Sequence, residues 1–203
     1  MTKTRVEIDP LGEKEIPEAA YYGIQTMRAT ENFPVSGIKA PRVFIEAYVM
    51  VKKAAALANA EVGWLDQKIA KAIIQACDEV LAGKFLDQFV VDVFQAGAGT
   101  SFNMNVNEVL ANRALELMGK AKGDYKTVSP NDHVNMAQST NDTFPTALHI
   151  AVLMALQPLL NELDKLAAAF EKLAEKHRGT VKSGRTHLQD AVPLTIGHEF
   201  GAY

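Results

Sequence analysis

The chain has 203 residues, 48% hydrophobic and 22% charged, and a formal net charge of -3 from 21 basic and 24 acidic residues. That balance excludes a disordered or collagen-like chain and offers no basic surplus to draw nucleic acid or an anionic membrane as partner. Cys77 is the only cysteine, so no disulfide forms within the chain; with a charged N-terminus, Met1 to Pro10, that lacks an apolar core and predicts no signal peptide, the predicted location is cytoplasmic.

Residues 1–37 carry Gly12, Pro17, Gly23, Pro34 and Gly37 and read as loops with short extended pieces. From about Pro41 to Val62, apolar residues recur at three- and four-residue steps (Phe44, Tyr48, Val51, Ala55, Ala58), which predicts a helix ended by Gly63. Asp66 is placed to cap a second helix with Ile69, Ile73, Ala76, Val80 and Leu81 on one face and Gly83 as its stop. Residues 84–101 are a long connection. A third helix is predicted from about Asn103 to Met118, ended by Gly119, followed by an irregular polar stretch over 120–141.

The longest predicted helix runs from about Asp142 to His177, roughly 54 Å at 1.5 Å per residue. Its first half is apolar nearly all round (Leu148, Ile150, Val152, Leu153, Leu156), so it needs neighbours on every side; Pro158 predicts a kink or local break. The most apolar window, Ala147 to Leu160, is interrupted by His149, Gln157 and Pro158. It falls short of the roughly 20 apolar residues of a membrane span and reads as a buried helix segment, with no membrane partner. The class is all-α. Burying the long helix asks for a larger bundle than this chain supplies, which predicts either oligomerisation or a fragment of a longer chain.

Three polar clusters stand out. Gly97-Ala98-Gly99-Thr100-Ser101 leads into Asn103-Met104-Asn105; glycines let backbone approach a ligand and the helix that follows offers free N–H groups, although a glycine turn with a capping Asn reads the same way. It lacks the spacing and preceding strand of a dinucleotide fingerprint. Gln138-Ser139-Thr140-Asn141-Asp142 precedes Pro145. One such residue caps a helix, whereas several in a row beside a positive helix end suit a carboxylate. Gly184-Arg185-Thr186-His187-Leu188-Gln189-Asp190-Ala191 places His187 in a turn with Arg and Asp in reach, a setting for an active-site histidine. His198-Glu199 lacks the second histidine of a zinc helix, and no metal spacing occurs elsewhere. His177 suits a helix C-terminus, His149 reads as core or interface, Cys77 as small and buried, and Lys52-Lys53 as a solvated face.

In order, Tyr21-Tyr22-Gly23, Glu31-Asn32-Phe33, the glycine cluster, Ser139-Thr140-Asn141-Asp142 and the Gly184–Ala191 cluster resemble the fumarase/aspartase superfamily over the whole chain. They resemble its aspartase branch more than its fumarase branch, which tends to carry Trp for Tyr22, Ser for Ala98, Gln for Ser101, Ser for Thr140 and His for Ser129. Ala96, Ser183 and His198 depart from the aspartase pattern.

The resemblance implies a mainly helical N-terminal domain over 1–140 and, over 141–203, the incomplete start of a central helical bundle. It implies reversible deamination of L-aspartate to fumarate by a homotetramer with composite sites and no cofactor. Thr100, Ser139 and Thr140 would stabilise the dianion formed on the β-carboxylate. Asn141 and His187, with Thr100, would hold the amino group; Thr186 would bind the α-carboxylate; Asp190 or a neighbour would tune His187. The family's base is a serine on a Gly-Ser-Ser loop. None occurs here, so no catalytic base is expected before Tyr203, and the chain alone is expected to be inactive.

Overall fold

The computed structural model describes residues 3–203, which form two compact units, one ending at Val152 and one from Leu153 to Tyr203. In the first, β1 (Thr4–Asp9) and β2 (Gly12–Pro17) make an antiparallel hairpin in register from Thr4 opposite Pro17 to Asp9 opposite Gly12. It is followed by α1 (Ile24–Asn32), so the stretch read as loops holds a helix as well as a hairpin. The helix is short, and its start is stabilised from far along the chain. The buried Glu108 carboxylate accepts hydrogen bonds from the backbone N–H of Gly23 (2.9 Å), Gln25 (2.9 Å) and Thr26 (3.0 Å) and from the Thr26 hydroxyl (2.6 Å). Burial pushes the Glu108 pKa up, against the pull of those donors. A side chain at Gly23 has no room: its Cβ would overlap Tyr125 Oη and lie 2.7 Å from Glu7 Oε2.

Helices α2 (Arg42–Glu61) and α3 (Gln67–Leu81) match their periodicity. The Asp66 side chain caps α3, accepting from the N–H groups of Lys68 (2.8 Å) and Ile69 (3.1 Å). The connection to α4 (Thr100–Leu117) contains a single 3₁₀ turn, Leu86–Gln88. α4 begins at Thr100 rather than Asn103. Gln95 Oε1 accepts from Phe102 N at 2.7 Å, satisfying a first-turn donor, and Gly99 turns the chain at φ +86°. Because α4 is buried on almost every side from Phe102 to Leu115, it forms the axis of this unit, with Val49, Ile73, Val80, Val106 and Leu110 fully enclosed. The polar stretch that follows holds a π turn, Pro130–Val134, capped by Ser129 Oγ accepting from Asp132 N at 3.0 Å.

Helix α5 (Thr140–Lys176) starts before the predicted Asp142 and runs through Pro158 without interruption. The expected burial of its first half on all sides is not met within this chain: Thr143, Ala147 and Ala151 are buried, whereas Leu148, His149, Val152 and Leu153 are exposed. The reading of its apolar window as too short for a membrane span also needs correction. With a mean hydropathy of 1.5 over its most apolar window, α5 is long and apolar enough to cross a membrane by length and composition, because His149, Gln157 and Pro158 break the apolar run without adding a full charge.

In the second unit, β3 (Val181–Thr186) and β4 (Gln189–Thr195) form a hairpin leading into α6 (Ile196–Ala202). The cluster read as a turn after a helix is therefore the tip of a hairpin. Phe170 of α5 packs on Phe200 (centroids 6.1 Å apart) and Tyr203 (5.4 Å), and Thr195 caps α6 through His198 N at 3.1 Å. The architecture is mainly helical, with strands confined to the two hairpins among the described residues.

Asp92 ties residues 36–37 to the connection before α4, accepting from Ser36 N (2.7 Å), Ser36 Oγ (2.8 Å), Gly37 N (2.7 Å) and Phe94 N (2.8 Å). Burial works to raise its pKa, but these donors outweigh it and hold the carboxyl well below the usual range. A carboxylate depressed in the folded state stabilises above its unfolded pKa and loses that contribution as pH falls through the folded one. Asp92→Asn is thus expected to lower the urea midpoint at pH 7 and to narrow its gap from wild type at pH 2.5; an unchanged gap contradicts this.

Candidate active site

Thr100 is the first residue of α4 and Thr140 the first of α5. The two helix starts meet because Phe144, in the first turn or so of α5, packs against the backbone at Gly99. A Cβ built on Gly99 would lie 2.5 Å from Phe144 Cγ and closer still to two other ring atoms, and the positive φ there independently favours glycine. Phe144 also packs on Phe44 (5.2 Å between centroids) and Tyr48 (6.1 Å) of α2. Tyr48 Oη donates to Asn103 Oδ1 of α4 at 3.1 Å and lies 3.0 Å from Thr143 Oγ1 of α5. Burial pushes the Tyr48 phenol up to about 12, so it keeps its proton.

The junction brings the first two clusters to one place. Gly97, Ala98 and Gly99 share with Asn141 and Phe144 the wall of a cleft of about 440 Å³. Thr100 and Ser101 line a neighbouring cleft of about 450 Å³ with Asp9 and Arg28, where Arg28 grips Asp9 through two bonds of 2.8 and 2.9 Å. Thr100, Ser139 and Asn141 are exposed and Thr140 is half-buried. Ser139 Oγ accepts from Asn141 N at 3.2 Å, which leaves its own proton free to donate. Two helix N-termini brought together at one junction favour an anion.

Thr186 and His187 belong to the second unit, at the exposed tip of the β3–β4 hairpin. His187 (φ +50°) and Leu188 (φ +63°) both adopt left-handed conformations, the two-residue turn geometry that usually takes Asn-Gly. Residues without that freedom in such a turn are a mark of functional constraint. Asp190 does not engage His187: its Oδ1 accepts from Ser183 Oγ (2.8 Å) and Arg185 Nε (2.9 Å), which corrects the expectation that it tunes the imidazole. A groove of about 510 Å³ in the second unit, lined by Phe170, His198 and Phe200, contains none of the six predicted site residues.

The family model described as Lyase matches residues 12–203. The chain belongs to the lyase family. Within it, the chain is 58% identical over 202 residues to an aspartate ammonia-lyase of a Bacillus sp, covering 100% of this chain and 43% of that protein. It is 56% identical to a class II fumarate hydratase of Halobacterium salinarum, covering 98% and 42%. A fumarate lyase:delta crystallin structure from Brucella melitensis superposes with a TM-score of 0.93 at 52% identity, covering 98% and 47%. These neighbours place the chain in the fumarase/aspartase superfamily that its ordered motifs resemble, and it spans less than half the length of the relatives it matches.

Near the start of α5 the chain holds a residue whose burial the sequence reading missed. Lys52 is fully buried rather than part of a solvated face. Its Nζ donates to Asn135 Oδ1 (2.8 Å) and Gln138 Oε1 (3.0 Å), while Lys53 pairs with Asp78 at 2.6 Å. Spacing could have revealed it, since Lys52 lies four residues after the buried Tyr48 and so on the same helix face. Burial without a carboxylate pulls its pKa from the ordinary 10.5 to about 7. Cys77, across on α3, is buried as predicted, its thiol pushed up to about 12. Among the described residues no cluster of His, Cys, Asp and Glu is arranged to hold a metal.

Two outcomes follow from this geometry. Gly99→Ala should destabilise the protein by about 3 kcal/mol through overpacking and backbone strain, and Phe144→Leu in the same chain should recover part of that loss; thermal unfolding of the two variants checks it, and an unaltered midpoint for Gly99→Ala contradicts it. Because the pKa of Lys52 is depressed in the folded state, the unfolded chain binds more protons between about 7 and 10.5, so stability rises with pH across that window. Relative to Lys52→Met, wild type should gain in urea midpoint between pH 7 and 9, whereas parallel midpoints would contradict the depressed pKa.

Proposed function

We propose that the full-length protein is an aspartate ammonia-lyase, eliminating ammonia from L-aspartate to give fumarate, as a cytoplasmic homotetramer with composite active sites. The observation that carries this reading is the pairing of the α4 and α5 starts through Phe144 and Gly99, with Gly97, Ala98, Gly99 and Asn141 lining one cleft between them. The identity to aspartate ammonia-lyases supports the substrate. Ser129 stands where fumarases carry histidine, and here its hydroxyl is engaged in capping the π turn. The single buried cysteine suits the compartment, and the exposed apolar side chains of α5 suit assembly.

The chemistry is demanding because the proton leaves a carbon beside a carboxylate. As that C–H bond breaks, the electron pair spreads onto the β-carboxylate and creates a dianion. Oriented donors that meet this charge lower the barrier, as in an oxyanion hole. Thr100, Ser139 and Thr140 are assigned to this task. Asn141 and His187, with Thr100, hold the amino group that departs as ammonia when the C–N bond breaks and the double bond forms. Thr186 binds the α-carboxylate. The proton passes to a serine base of a Gly-Ser-Ser loop; that sequence does not occur in these 203 residues, and the base is assigned to another part of the protein.

A class II fumarase is the second reading, favoured by the 56% identity to a fumarate hydratase. Fumarate absorbance separates the two: release from L-aspartate with ammonia supports the proposal, and release from malate alone overturns it. Thr140→Ala in the full-length enzyme should lower kcat by about 10²–10³-fold, the usual effect of removing one such donor; undiminished turnover contradicts its assignment.

A further inference from the structure

We propose that Lys52 is a positioning residue for the elimination, its hydrogen bonds to Asn135 and Gln138 fixing the turn that sets Ser139 and Thr140 at the head of α5. The inference rests on the reading of Ser139 and Thr140 as donors to the substrate.

The segment between the π turn and α5 is closed by a backbone turn bond from Gln138 N to Asn135 O at 3.1 Å, and side chains brace it. Asn135 Oδ1 takes hydrogen bonds from Lys52 Nζ (2.8 Å), Asn103 Nδ2 (3.2 Å) and Asn107 Nδ2 (3.3 Å). Asn135 Nδ2 then donates to Gln138 O at 3.0 Å. The Gln138 amide donates to Val134 O (2.9 Å) and Met136 O (3.1 Å) while its Oε1 accepts from Lys52 at 3.0 Å, and Asn59 Nδ2 holds Met136 O at 3.0 Å. In the middle of this web Ala137 sits at φ +56°, a conformation that an alanine keeps only when its surroundings impose it. Lys52 joins both ends of the turn, Asn135 before Ala137 and Gln138 after it. Ser139 follows directly, its carbonyl held by Thr143 Oγ1 at 3.2 Å. Among the described residues Lys52 meets no carboxylate and donates to neutral amide oxygens instead. Its N–H donors thus hold the turn rather than an ion pair.

The test uses the full-length enzyme with L-aspartate, read by fumarate absorbance. Lys52→Met fills the space of the stem without donating, and Gln138→Leu removes one acceptor of Lys52 together with the amide donors to Val134 O and Met136 O. Each should lower kcat by about tenfold or more with KM altered by less than about threefold, because the donors act on charge developed in the transition state. The double variant should fall by less than the product of the two single effects, since the Lys52–Gln138 bond is lost in both. Folded variants with kcat within about twofold of wild type overturn the proposal, and if Lys52→Met does not fold, Gln138→Leu decides by the same criterion. Should wild type release no fumarate from L-aspartate, the substrate reading fails, and amide hydrogen exchange decides on Lys52. Faster exchange confined to residues 136–142 in Lys52→Met supports the positioning role, and an unchanged pattern there overturns it.

Discussion

The Phe144 ring occupies the space that any side chain at residue 99 would need. That contact brings the start of α5 against the start of α4, although their first residues are forty positions apart in sequence. The surrounding aromatic group of Phe44, Tyr48, Phe102 and Phe144 adds roughly 0.5–1.5 kcal/mol per favourable pair beyond area burial. The Tyr48 phenol, held to Asn103 and next to Thr143, fixes the rotation of each helix about the contact. The starts of both helices then meet as a consequence of packing, with Gly97, Ala98, Gly99 and Asn141 on one cleft wall.

Buried charge follows a similar logic twice in the first unit. Glu108 is satisfied by N–H groups at the start of α1, and Lys52 by amide oxygens of the turn before α5. Neither charge meets a single opposite one. A paired ion would bind its counter-charge and leave the backbone around it free, whereas a charge solvated by backbone and amides organises the segment that solvates it. Both segments lie next to a helix start.

What the sequence reveals depends on whether the stabilising partner is local. α2 and α3 show themselves through apolar spacing, and the Asp66 cap lies beside the N–H groups it satisfies. The motifs place Thr100 and Thr140 just ahead of the predicted helix starts. α1 stays hidden because its cap comes from Glu108, and α4 reads as beginning late because Gln95 stands in for a capping residue at its head. The β3–β4 hairpin is obscured because His187 and Leu188 take the turn that Asn-Gly would announce. Lys52 reads as half of a solvated Lys-Lys pair because its acceptors are more than eighty positions away. The apolar circumference of α5 was legible, but what covers Leu148, Val152 and Leu153 was not, since burial depends on neighbours that this chain does not supply.

The most direct measurement is a crystal structure of the full-length protein with succinate, a four-carbon dicarboxylate that cannot react. The account predicts one carboxylate of the ligand within hydrogen-bond distance, about 2.5–3.2 Å, of both Thr100 Oγ1 and Thr140 Oγ1. A ligand bound elsewhere, or one that meets only one of these hydroxyls while the other faces solvent, would contradict it.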